Sequence, residues 1–173
     1  MLESESWEDR ARATRELVDR LDAGMLPRLL ALLRDDRASV RASALRLLAR
    51  LGDPEALEPA IATLRKDHDW TVRYEALTVL AWVRDERATG RAVPAILEAL
   101  ARDGAAQVRR NAAWALQAHP TCTAGRGLEA ALRDPVSEVR QSAAESLRVI
   151  AGESPRERSR WLRELCTDSN SPQ

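Results

Sequence analysis

The sequence predicts an all-α fold: a right-handed solenoid of about four helix pairs, with a capping helix at each end. Three observations carry this. The stretch Arg34-Asp35-Asp36-Arg37-Ala38-Ser39-Val40-Arg41-Ala42-Ser43-Ala44-Leu45-Arg46-Leu47-Leu48 has the skeleton basic-Asp-x4-Val-Arg-x2-Ala-x3-Leu, which is written four times. The copies start at Arg34, Lys66, Arg102 and Arg133, and the Val-Arg pairs lie 32, 36 and 31 residues apart. Self-similarity at a near-constant period is the signature of stacked repeats. Second, apolar residues between the copies recur at i, i+3, i+4 and i+7, as in Leu26, Leu29, Leu30 and Leu33, the period of a helix with one buried face. Third, Phe is absent while there are five Trp, so Leu, Ala, Val and Ile must fill the core and the place of each Trp becomes informative.

Charge and composition narrow the function. Lys and Arg number 27, Asp and Glu 27, and the net charge of zero favours neither nucleic acid nor an anionic membrane. No apolar run approaches the ~18 residues of a membrane-spanning helix. The N-terminus, Met1 to Ser6, is acidic and has no apolar signal region. The expected location is therefore a reducing cytoplasm. The spacing of Cys122 and Cys166 suggests neither a disulfide framework nor a zinc site.

Residues 1–24 are read as the N-terminal capping helix. Trp7, Ala11, Thr14, Leu17, Val18 and Leu21 share a face, and Asp9-Arg10-x2-Ala13-x3-Leu17 is a degenerate copy of the repeat. Asp in place of the usual Val suits a terminal unit that faces water on one side. Repeats follow at 25–52, 53–85, 86–119 and 120–152. Their first helices are expected at 25–34, 54–66, 90–102 and 125–133. Pro27, Pro59 and Pro94 are read as lying near the starts, where a missing N–H is tolerated. Asp and Ser in the turns are read as N-caps for the second helices, expected at 38–51, 70–84, 105–118 and 136–151. Within these, Val72, Ala76 and Leu80, or Val139, Ala143 and Leu147, form one apolar stripe. Residues 119–126 read as an irregular loop, which with the uneven periods argues against a designed array. Residues 153–166 are the C-terminal capping helix, with Trp161, Leu162 and Leu165 inward. Residues 167–173 are a polar tail, and a degenerate first helix with such a tail is what a complete array would carry.

The matched pairs Asp35 and Arg41, Asp67 and Arg73, Asp103 and Arg109, Asp134 and Arg140 are each six apart, and each is followed by Ala44, Ala76, Ala112 or Ala143. Over residues 9–152 this pattern resembles HEAT repeats. It is closest to the short HEAT-like repeats of phycobilin lyases and many bacterial scaffold proteins. The resemblance implies that these eight Asp and Arg residues form a hydrogen-bonded ladder between neighbouring units. The alternative, an arginine row for phosphates, is disfavoured because every Arg has an Asp at the same offset. The resemblance also implies that the second helices line the concave face.

Catalysis needs convergent groups, and few are found. His68 and His119 are each without a following Glu, so the His-Glu pairs of iron-binding HEAT-like hydroxylases are absent. His119-Pro120-Thr121-Cys122 offers two ligands where a metal needs three or four. Neither a phosphate-binding glycine loop nor a Gly-x-Ser-x-Gly motif occurs. No enzyme activity, cofactor or metal is expected.

Aromatic residues give the better signal. Positions −2, +2, +3, +6 and +10 from each Val lie outside the repeated core pattern. Unit two places Trp70, Tyr74, Glu75, Thr78 and Trp82 there, and unit three Ala106, Arg110, Asn111, Trp114 and Ala118. Unit one adds Arg46 and Arg50. Trp, Tyr and Arg dominate interface energetics. A concave patch of Trp70, Tyr74, Trp82, Arg110, Asn111 and Trp114, with Arg46 and Arg50 beside it, would hold a helix or extended segment of another protein. The competing reading is that these Trp fill gaps in a core without Phe. Two other functions stay open: a bilin-handling subunit of the phycobilin-lyase type, and nucleic-acid binding, faintly echoed by Asp69-Trp70.

Overall fold

A computed structural model describes residues 23–83 and 86–151, with residues 160, 161, 163, 164 and 166 near the C-terminus. The predicted N-terminal cap up to residue 22, most of the C-terminal cap and the tail lie outside the described residues. The described regular structure is helical. It comprises α1 (Leu26–Leu32), α2 (Ala38–Leu51), α3 (Leu57–Lys66), α4 (Trp70–Trp82), α5 (Glu86–Arg102), α6 (Ala106–Ala115), α7 (Cys122–Ala131) and α8 (Ser137–Ala151). Short 3-10 turns precede α1 and α3 and follow α6.

The helices pair as α1/α2, α3/α4, α5/α6 and α7/α8, and the pairs stack into an α-solenoid of two layers. Second helices pack on one another along the whole array, and first helices do so from α3 to α7. The repeated stripe explains this. Val72, Ala76 and Leu80, Val108, Ala112 and Leu116, and Val139, Ala143 and Leu147 are all fully buried. The small Ala lets its helix approach its partner closely, and each fully buried Leu contributes about 1.5–3 kcal/mol. Each unit leaves an apolar face that the next covers, so the core is continuous along the stack.

Three expectations about local structure are corrected. Helix α5 starts at Glu86, so Pro94 lies inside it rather than near its start. The upstream stretch is held by Ala88 and Ala92, both fully buried, and such small residues gave a weak periodic signal. Helix α7 starts at Cys122, so most of the expected 119–126 loop is helical. The Thr121 hydroxyl accepts the Ala124 N–H at 3.1 Å and starts the helix early. The Asp and Ser residues in the turns are mostly not N-caps: Arg37 and Ala105 hold the N-cap positions of α2 and α6 without side-chain bonds, and only Asp69 caps α4 through the Thr71 N–H. The repeated Asp instead shapes the turn. Asp35, Asp67, Asp103 and Asp134 each accept the N–H two residues on, at 2.9–3.0 Å. Gly52 ends α2 at φ +65°, a left-handed conformation that disfavours other residues.

Candidate functional site

The repeated Asp and Arg build one edge of the array. Arg41 Nη1 donates to the backbone carbonyl of Asp35, six residues back, at 2.9 Å, and Arg73, Arg109 and Arg140 do the same to Asp67, Asp103 and Asp134. The other edge of each planar guanidinium reaches the next unit. Arg41 grips the Asp67 carboxylate at 2.8 and 2.9 Å, Arg73 grips Asp103 at 2.7 and 2.9 Å, and Arg109 grips Asp134 at 2.8 and 3.1 Å. These bidentate pairs are largely shielded from solvent. The six-residue spacing thus links Arg to a backbone oxygen of its own unit, while the paired carboxylate belongs to the following unit.

The two ends differ from the sequence-based ladder. The Asp35 carboxylate pairs with the nearby Arg37, which holds it down at about 2. Arg140 bonds only carbonyls, those of Asp134 and Pro135, among the described residues. Inside the array, burial alone would raise Asp67 and Asp103. The Arg hydrogen bonds, the turn N–H and the Arg charge together outweigh it, so both ionise below the ordinary range. For Asp134 the Arg109 bond is the largest influence and acts in the same direction. Two clefts of about 850 and 500 Å³ run along this edge. Their Arg41, Asp67, Arg73 and Asp103 are committed to one another, which leaves those charges little capacity for a ligand.

A separate groove belongs to the second helices. Trp70, Trp82 and Trp114 are 42%, 52% and 38% exposed, although the core could have used them. Tyr74, Thr78, Arg110, Asn111, Trp114 and Ser142 line a shallow groove of about 380 Å³ between α4, α6 and α8. Trp70 and Trp82 stand at the two ends of α4, outside that lining. Arg46 stands over α2 with Nε 3.4 Å from Glu75, whose carboxyl burial pushes up and Arg46 partly holds down. Arg50 is exposed on the last turn of α2. The structure therefore brings Tyr74, Arg110 and Trp114 together, and leaves Trp70, Trp82, Arg46 and Arg50 around them.

Asn111 is a correction. It is only 6% exposed, and its Nδ2 donates to the Tyr74 carbonyl at 2.8 Å, which joins α6 to α4. One unit on, the Ser142 hydroxyl donates to the Arg110 carbonyl at 2.9 Å and joins α8 to α6. Both donors occupy position +3 and both acceptors position +2 of the preceding unit. This second set of bridges forms the floor of the groove. A short polar donor at the same offset in adjacent copies was its only sequence signal.

His119 is another residue whose role the sequence hid. It is buried, with Nε2 2.9 Å from the Leu80 carbonyl and Nδ1 3.1 Å from the Thr89 hydroxyl. A carbonyl only accepts, so Nε2 carries the hydrogen. Leu80 lies in the last turn of α4, whose carbonyls lack partners within the helix. His119 thus closes the end of the helix that bears Trp82. Replacing it with Ala is expected to destabilise the fold by about 1–3 kcal/mol, the cost of an unpaired buried carbonyl, read as a lowered urea midpoint. The cysteines also depart from expectation: Cys122 and Cys166 form a disulfide, with Cα atoms 5.2 Å apart across 44 positions. Sequence distance hid this pair because the terminal stretch returns to the start of α7. Among the described residues, no group of three or more His, Cys, Asp or Glu is placed to hold a metal, and no helix is long and apolar enough to cross a membrane.

A sequence profile for HEAT repeats matches residues 1–81, 58–148 and 93–172. The chain is a HEAT-repeat protein. No curated protein matches it. Among solved structures, a crystal structure of an engineered protein, a Northeast Structural Genomics Consortium target, is similar with a TM-score of 0.57 and 22% identity, covering 80% of this chain and 67% of that one. At that identity the likeness speaks to the fold. HEAT repeats generally serve as protein-interaction scaffolds. In this HEAT-repeat protein the inner ladder residues grip one another across the units, while Trp70, Trp82 and Trp114 stand exposed on the second helices.

Proposed function

We propose that this HEAT-repeat protein is a non-catalytic adaptor or regulatory subunit that holds a segment of another protein against its second-helix face. The observation that carries this is the exposure of Trp70, Trp82 and Trp114 in the two middle units, beside the groove of Tyr74, Arg110 and Trp114. Exposed Trp loses favourable burial unless something covers it. Arg110 is exposed and has no carboxylate within ion-pair distance among the described residues. The occupant is therefore an apolar-anchored helix or extended segment with an acidic side chain near its anchor. Rigid stacked helices present such a surface without catalytic apparatus.

A photo-crosslinking residue at position 82 or 114 tests this in extract of the source cell. A partner joined at those positions, and not at the first-layer position Glu98, supports the reading. Equal capture of that partner by the folded Trp82→Ala/Trp114→Ala variant would sink it.

A further inference from the structure

We propose that the Cys122–Cys166 disulfide is a thiol-exchange site, opened by a small thiol of the glutathione class that attacks Cys166 and expels Cys122. This inference is independent of the aromatic groove, because α7 belongs to the first-helix layer.

Both cysteines are half-buried. The two differ in their surroundings. Cys122 is the first residue of α7, immediately after the N-cap Thr121, whose hydroxyl takes the Ala124 N–H. The positive pole of a ten-residue helix favours a thiolate there. Cys166 comes after the described helical residues 160, 161, 163 and 164 rather than at a helix start. A sulfur at a helix start is the better leaving group, so attack is directed to the Cys166 sulfur.

The exchange balances in two steps. The incoming thiolate forms a bond to Cys166 Sγ, the protein disulfide breaks, and its electron pair leaves on Cys122 Sγ. Cys166 then carries a mixed disulfide. A second thiolate attacks the external sulfur, releases Cys166 as a thiolate and forms the small-molecule disulfide. Two electrons pass from two small thiols to the protein, and water supplies protons to whichever thiolates take them up. The oxidised small molecule reverses both steps. Opening removes the covalent tie between α7 and the terminal helical residues.

The test uses the full, oxidised chain in glutathione buffers. Samples are quenched with acid, alkylated and mapped by mass spectrometry. We expect reversible opening in the folded protein, with the mixed disulfide on Cys166 exceeding that on Cys122 by about fivefold or more. Trypsin cleavage after the exposed Arg160 and Arg163 should accelerate about tenfold on opening, as local stability falls. Cleavage within α4 and α6 should not change. The Cys122→Ser and Cys166→Ser variants should both show the fast cleavage without reductant. The proposal is overturned if both thiols alkylate in the untreated folded protein. It is equally overturned if the pair stays closed in about 10 mM glutathione until the chain is unfolded, if the mixed disulfide favours Cys122, or if cleavage after Arg160 and Arg163 ignores the redox state.

Discussion

Asp103→Ala is expected to lower the stability of this HEAT-repeat protein by about 3–5 kcal/mol, the range for removing one partner of a buried ion pair. Three losses coincide. Arg73 loses both charge-assisted bonds to the next unit, the Ala105 N–H loses its acceptor, and the Arg73 charge stays shielded from water with only the two turn carbonyls of Asp67 and His68. In a chain of this size the thermal midpoint should fall by roughly 10 °C. Arg140→Ala is the internal control. It bonds two carbonyls from an exposed position, so its removal should cost only about 1 kcal/mol. Equal losses in the two variants would show that the inter-unit pairs do not hold the stack together.

The same carboxylates set an acid limit. Asp67, Asp103 and Asp134 ionise below their ordinary value of 3.8 in the folded chain. A depressed folded pKa stabilises the fold fully above the unfolded value. That contribution is lost as pH falls below about 4, through the folded pKa values. Asp35, held at about 2, adds to the loss at the lowest pH. Glu75 has the opposite sign: its raised pKa favours folding at low pH and is relieved rather than lost there. Three inter-unit carboxylates against one half-buried glutamate predict a net fall in urea midpoint between pH 4 and pH 2. Asp103→Ala should flatten that fall.

Trp82→Ala/Trp114→Ala is expected to weaken partner binding by about 30-fold or more, since an interface hot spot contributes at least about 2 kcal/mol. Stability should fall by only about 1–3 kcal/mol, because roughly half of each side chain is already covered in the fold. Circular dichroism and a urea titration establish the second point before binding is measured. An unfolded double variant would mean that both Trp are core residues after all. A folded variant with undiminished binding would place the partner elsewhere.

The copies at Arg34, Lys66, Arg102 and Arg133 made the helix pairs legible, because a strict register of Val, Ala and Leu has only one way to bury its stripe. The exposure of Trp82 and Trp114 was legible for the same reason: four copies serve as one another's control, and these Trp stand off the repeated stripe. The start of α5 was less legible because Ala88 and Ala92 bury little area each and leave a faint periodic pattern. Asn111 was misplaced because helical phase says where a side chain points, whereas the distance to the neighbouring helix says whether it ends in water or on a carbonyl.

By itself, then, the sequence determined the stacked helix pairs, the buried stripe and the aromatic residues left off it, since these follow from periodicities of 3.6 and about 33 residues repeated within one chain. Only the tertiary structure decided which carboxylate each Arg grips, that His119 closes the end of α4, and that Cys122 meets Cys166. Those contacts join residues 26, 39 and 44 positions apart. Such pairings depend on how far one unit rotates and shifts over the next, a quantity set by packing of all the helices together and written in no single segment.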